Sequence, residues 1–210
     1  MPGLVSKGGG MTADGGRVTS EDWSGRDLSG LRLSGVTLTD VDLTEATSTG
    51  AAFDGCTFVD CRFAAGRHEG SAFSSCTFRG CTFFGAELVG CKLMGSVFTR
   101  CTLTPLRADG GNWAFVTMRG ADLRAVRWDG VRLVEADLAG ADLTGATVSH
   151  CDLGRADLRA TVLAGADLRG SSLDGIDPTG PRWERARIDL PQAVVLAESL
   201  GVVVDVEQDG

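Results

Sequence analysis

Seven cysteines, two histidines and a recurring set of aspartates are the residues of this 210-residue chain whose chemistry could be put to work. Thiols with imidazoles would suit a metal centre or a nucleophile, and paired carboxylates would suit acid–base chemistry. The spacing argues against each of these. Cys56, Cys61, Cys76, Cys81, Cys91, Cys101 and Cys151 contain no Cys-x-x-Cys pair, and His68 and His150 form no closely spaced ligand pair. Ala108-Asp109-Gly110-Gly111-Asn112 fits neither a phosphate loop nor a calcium loop. These residues predict no catalytic site, no cofactor and no bound metal.

What the cysteines share is a phase. Each lies two residues before a large apolar residue, and those apolar residues recur at every fifth position from Trp23 to Leu173, broken only by Ser48, His68 and Ala108. The position two before the centre otherwise holds mostly Ala or Ser, so cysteine is expected there as a small inward-facing residue. Two residues after the centre glycine recurs, which accounts for much of a glycine content of 30. His68 stands at an inward centre, as a neutral core imidazole, and His150 at an exposed corner.

A period of five fits neither the 3.6 of a helix nor the 2.0 of a strand, so the chain must turn at every repeat. If each unit is one side of a coil, four units close a square turn of 20 residues, and stacked turns bury a continuous core. The fold expected is all-β, a quadrilateral parallel β-helix. Residues 21–180 make the solenoid and residues 1–20 a flexible Gly-rich tail. Residues 181–210 form a C-terminal cap, with a short helix from Pro191 to Leu200 stopped by Gly201 and a strand at Val202-Val203-Val204. The weakest stretch is Thr104–Asn112, where Pro105 takes a glycine position while Leu106 and Ala108 exchange large for small. It predicts an irregular coil, not a domain boundary.

Net charge is −8, with an isoelectric point near 4.7, which opposes direct binding of nucleic acid. No apolar run reaches the roughly 20 residues of a membrane span, and Met1–Ser20 lacks the core of a signal peptide, so a cytoplasmic protein in a reducing compartment is expected. The outward acids fall in columns. Asp122 and Asp142 differ by 20, as do Asp137 and Asp157. Carboxylates stacked one rung apart, about 4.8 Å, repel by roughly 0.9 kcal/mol even in water, so such ladders either tie down corners or face a basic partner.

Repeat units such as Ala121-Asp122-Leu123-Arg124-Ala125, Ala141-Asp142-Leu143-Thr144-Gly145 and Ala166-Asp167-Leu168-Arg169-Gly170 resemble the pentapeptide repeat family. That resemblance implies a right-handed, four-sided coil. Gly70-Ser71-Ala72-Phe73 with Cys76-Thr77-Phe78, Gly95-Ser96-Val97-Phe98 with Cys101, and Leu103-Thr104-Pro105-Leu106 are similar to its fluoroquinolone-resistance branch, the mycobacterial MfpA type and the Qnr group. The resemblance implies a homodimeric rod that imitates B-form DNA, occupies DNA gyrase or topoisomerase IV, inhibits supercoiling and shields the enzyme from quinolone-type poisons. It assigns partner contact to Asp122, Asp137, Asp142, Asp157 and Asp167. Asp189 to Gly201 resembles a dimerising end, which with its flank gives Trp183, Ile188, Val194, Val195, Leu196 and Leu200 as dimer residues. The alternative is a structural interaction solenoid with a partner other than a topoisomerase. The register contains no loop insertion of the kind that interrupts Qnr coils.

Overall fold

The computed structural model describes residues 5–7 and 10–205. Its backbone pairs residues 20 apart in parallel from Thr12–Arg32 to Asp167–Arg187, without a change of register. Four sides result, each identified here by its centre in one turn: Phe53, Phe58, Phe63 and His68. Three-residue strands build three of them, such as Ala52–Asp54, Thr57–Val59 and Arg67–Glu69. The Phe63 side is held only by single bridges, including Asp42–Arg62 and Arg62–Thr82.

The inward phase is the core. Phe53, Phe58, Phe63, Phe78, Trp113 and Trp128 are fully buried, and so are Ala51, Cys56, Cys61 and Cys76, the small residues before the four phenylalanines. Because every side repeats at one rung, like rings stack: Phe53 on Phe73 at 4.8 Å, Phe58 on Phe78 at 4.9 Å and Phe63 on Phe83 at 4.6 Å between centroids. Rings on neighbouring sides meet edge to face, the other favourable aromatic geometry. Leu106 and Ala108 are both buried, so their exchange keeps the inward volume of a normal pair.

Corners take the left-handed conformation. Most are glycine, but Asp60 (φ 53°), Arg100 (φ 54°) and His150 (φ 52°) adopt it as well. At Gly111 a side chain is excluded outright, since φ is +98° and a Cβ would lie 2.2 Å from the Cys91 carbonyl oxygen.

Two expectations require correction. Residues 10–20 are not a free tail, because the strands Gly10–Asp14 and Arg17–Thr19 continue the ladder, with Ala13 on Leu33 and Val18 on Leu38. Ala13 and Val18 occupy the five-residue phase, which the surrounding glycines obscured. Residues 1–4, 8 and 9 of that expected tail lie outside the described residues. Val202-Val203-Val204 forms no strand; Val202 and Val203 extend exposed beyond the helix Leu190–Ser199.

Candidate interaction surface

The aspartates before each centre first serve the corner behind them. The Oδ1 of Asp142 accepts the backbone N–H of Thr144 at 2.9 Å, and Asp122, Asp137, Asp157 and Asp167 accept from Arg124, Ala139, Arg159 and Arg169 at 3.1–3.3 Å. The same corners close with a turn bond, as in Ala141 N–H to the Leu138 carbonyl at 2.9 Å. Asparagine-type side chains stabilise turns in this way, so the recurrence of Asp has a local cause.

Each of these five carboxylates also has an arginine beside it. Arg124 donates to Asp122 at 2.6 and 2.9 Å, Arg159 to Asp157 at 2.5 and 2.9 Å, and Arg169 to Asp167 at 2.7 and 2.8 Å. Arg119 reaches Asp137 at 2.9 Å, and Arg124 stands 3.8 Å from Asp142. The guanidinium hydrogen bonds hold Asp157 and Asp167 down to about 2, and lower Asp122 as well. The acids stay ionised, but much of their field is cancelled locally.

Asp122 bridges to Asp142 on the Phe63 side and Asp137 to Asp157 on the adjacent Phe58 side. Asp167 lies on the His68 side, bridged to Arg187, so the five do not form one patch. A further acidic group sits near the other end: Asp22 stacks on Asp42, as their spacing of 20 predicts, and Asp40 and Asp42 share Arg62, at 3.5 and 3.2 Å.

Where the small residue before a centre is Cys, Ser or Thr, its side chain acts as a donor. Cys61 Sγ lies 3.5 Å from the Leu38 carbonyl and Cys81 Sγ 3.5 Å from that of Phe58, while Ser96 and Thr161 hydroxyls donate to Phe73 and Leu138 carbonyls at 2.5 and 2.9 Å. Burial pushes the Cys91 thiol up to about 11 and Cys151 up to about 12, the behaviour of inert core thiols. His68 is buried, with Nδ1 2.7 Å from Ser48 Oγ, which meets Ser71 Oγ at 2.9 Å. Desolvation lowers its pKa to about 4, so it stays neutral, sealed among Phe63 and Phe73. His150 is exposed and pairs with Asp129 at 2.7 Å.

At the C-terminal end, Asp189 and Gln192 form a reciprocal capping box on the helix. Gln192 is buried, and its amide donates to the Leu168 and Ser171 carbonyls at 2.6 and 2.7 Å, while Asp189 accepts the Gly170 N–H. Two side chains thereby satisfy part of the open β edge, a role that Gln192 gave no sign of in the sequence. Trp183, Ile188 and Leu196 are half-buried against the core, Val194 and Val195 are half-buried on the helix, and Leu190, Leu200, Val202 and Val203 are exposed. No helix among the described residues is long and apolar enough to cross a membrane.

The profile of the Pentapeptide repeats family matches residues 25–64, 69–100, 118–155 and 141–177, in 8 copies. Among solved structures, the chain is similar to trypsin-treated QnrB1, a plasmid-mediated fluoroquinolone resistance protein, at 21% identity and a TM-score of 0.55, covering 93% of this chain and all of that one. It is also similar to HetL of Nostoc, a pentapeptide repeat protein involved in heterocyst differentiation regulation, at 17% identity over 81% of this chain and 84% of that one, with a TM-score of 0.35. No curated protein sequence matches the chain. At 21% identity the likeness to QnrB1 speaks for the fold alone.

Proposed function

Because this chain belongs to the pentapeptide repeat family, we propose that it acts by presenting a stiff outer surface to a protein, and that the protein is DNA gyrase, with topoisomerase IV as the related target. In this reading the column occupies the site of the DNA duplex, inhibits supercoiling and shields the enzyme from quinolone-type poisons. A cytoplasmic location follows from such a partner. The observation that carries the reading is the stacking of Asp122 on Asp142 and Asp137 on Asp157, on adjacent sides of one unbroken register. A rigid ladder of carboxylates loses little ordering entropy on meeting a basic saddle.

Two copies join through the C-terminal segment in this reading. Its support is the apolar surface at Leu190, Leu200, Val202 and Val203, more than one chain covers. Sedimentation of the full chain should give a dimer, and Leu200→Glu with Val203→Glu a monomer of unchanged fold.

A second reading is favoured by the arginines. With each predicted contact acid beside a guanidinium, the surface also suits an interaction module whose partner is not a topoisomerase. A gyrase supercoiling assay with and without ciprofloxacin separates the two. Inhibition that weakens when Asp122, Asp137, Asp142 and Asp157 are changed together to Asn supports gyrase. Neither inhibition nor protection over a wide concentration range supports the module.

A further inference from the structure

The Phe63 side carries a single interruption. Its bridges join Thr82 to Thr102 and Asp122 to Asp142, but none joins Thr102 to Asp122. Three N–H groups that pair on neighbouring rungs are left without a ladder acceptor here, those of Arg100, Leu103 and Asp122. Their equivalents do pair: Gly80 N–H with the Thr99 carbonyl at 3.0 Å, Phe83 with Thr102 at 2.7 Å and Thr102 with Cys81 at 2.9 Å. The gap is closed at both ends, since Phe98 N–H reaches Thr117 at 2.9 Å and Arg127 reaches Leu106 at 3.0 Å.

A cleft of about 410 Å³ opens at this interruption, with Phe98 and Leu103 among its apolar lining and Arg100 and Arg119 at its rim. It is sized for a small molecule, because the closed ends leave no room for an added strand. Its charged lining is two arginines against one acid. Arg100 and Arg119 both line it; Arg119 is paired with Asp137 at 2.9 Å, while Arg100 has no carboxylate partner among the described residues. The one acid in the lining, Asp122, has both oxygens engaged by Arg124. Cys101, alone among the seven cysteines in not being buried, lines the same cleft.

We propose that the interrupted rung is a binding site for a small carboxylate with an apolar body, the carboxylate held by the Arg100 guanidinium and the free N–H groups and the body against Phe98 and Leu103. A cationic side chain and backbone donors beside an apolar lining are the chemistry that selects a carboxylate. The site is independent of any macromolecular partner.

Benzoate, acetate and benzyl alcohol, titrated separately into the ¹⁵N-labelled full chain, test this directly. Benzoate should shift the Arg100, Leu103 and Asp122 amides, with acetate and benzyl alcohol each at least about tenfold weaker, the loss expected for removing one charge-assisted contact or one apolar body. Arg100→Gln should weaken benzoate similarly while leaving amides on the other sides unmoved, and Arg100→Lys should restore part of the affinity. Saturating benzoate should slow alkylation of Cys101 by iodoacetamide several-fold. Thr99→Trp, at the exposed mouth, should block binding if Arg100→Gln perturbs the coil. Absence of benzoate shifts at these amides, equal affinity of Arg100→Gln, or unchanged alkylation of Cys101 would overturn the proposal.

Discussion

The turns from Ala46 to Leu103 and those from Val116 to Leu173 keep one register by different means. In the first region three of the four sides are built largely of three-residue strands, the core is stacked phenylalanines, and cysteine thiols point at the carbonyls of the preceding turn. In the second the centres are mostly Leu, only Arg127–Asp129 and Thr147–Ser149 are strands, and the corners are closed by turn bonds and by Asp acceptors. The first region is fixed from within, by ring stacking at the rung spacing. The second is fixed from its edges, and its outer surface is correspondingly occupied by Asp and Arg.

That contrast can be broken most severely in the aromatic region. Phe63 stacks on Phe83 and meets Phe58, Phe73 and Phe78 edge to face. Phe63→Ala should cost about 3–5 kcal/mol in urea unfolding, at the upper end of what Leu143→Ala costs on the same side in the second region. An equal or larger loss for Leu143→Ala would remove the special weight given to ring stacking.

Acid should separate the regions by window. His68 titrates near 4 in the fold and near 6.5 when unfolded, so its lowered value favours the folded state above pH 6.5 and less so as the pH falls toward 4. The full loss is about 3 kcal/mol. Asp157 and Asp167, lowered from 3.8 to about 2, contribute stability above pH 3.8 that is lost between there and pH 2. Stability of the chain measured from pH 7 to 4 should therefore decline, and His68→Leu should flatten that decline without altering the lower one. A decline unchanged in His68→Leu would place its origin elsewhere.

Much of this was legible from the five-residue rhythm. The centres, the small inward residues and the 20-residue columns follow from phase alone, as does the burial of six of the seven cysteines. Pro105 with the Leu106 and Ala108 exchange located the irregular coil, but not that the Thr102–Asp122 bridge is the one lost, because the backbone displacement that decides it leaves no residue-type signal. Ala13 and Val18 were hidden by glycines that belong to corners. The Asp-Leu-Arg spacing of Asp122 with Arg124 and Asp157 with Arg159 was plain, yet the closeness of acid and base depends on the turn at each arginine bringing its guanidinium back onto the carboxylate two residues before it. Gln192 was illegible because a buried glutamine has meaning only against the carbonyls it meets.

The smallest effect is the most informative about the surface. Asp157 does two things at once: its Oδ1 accepts the Arg159 N–H at 3.1 Å, and both its oxygens engage the Arg159 guanidinium. Asparagine keeps the first and loses the second; alanine loses both. If the corner is the reason for the residue, Asp157→Ala should cost about 1 kcal/mol and Asp157→Asn less than about 0.5 kcal/mol, since an exposed ion pair contributes little. Comparable losses for the two would make the arginine pair the structural element. An Asn substitution that leaves stability intact but weakens gyrase inhibition would divide the residue cleanly, its backbone bond serving the coil and its charge serving the partner.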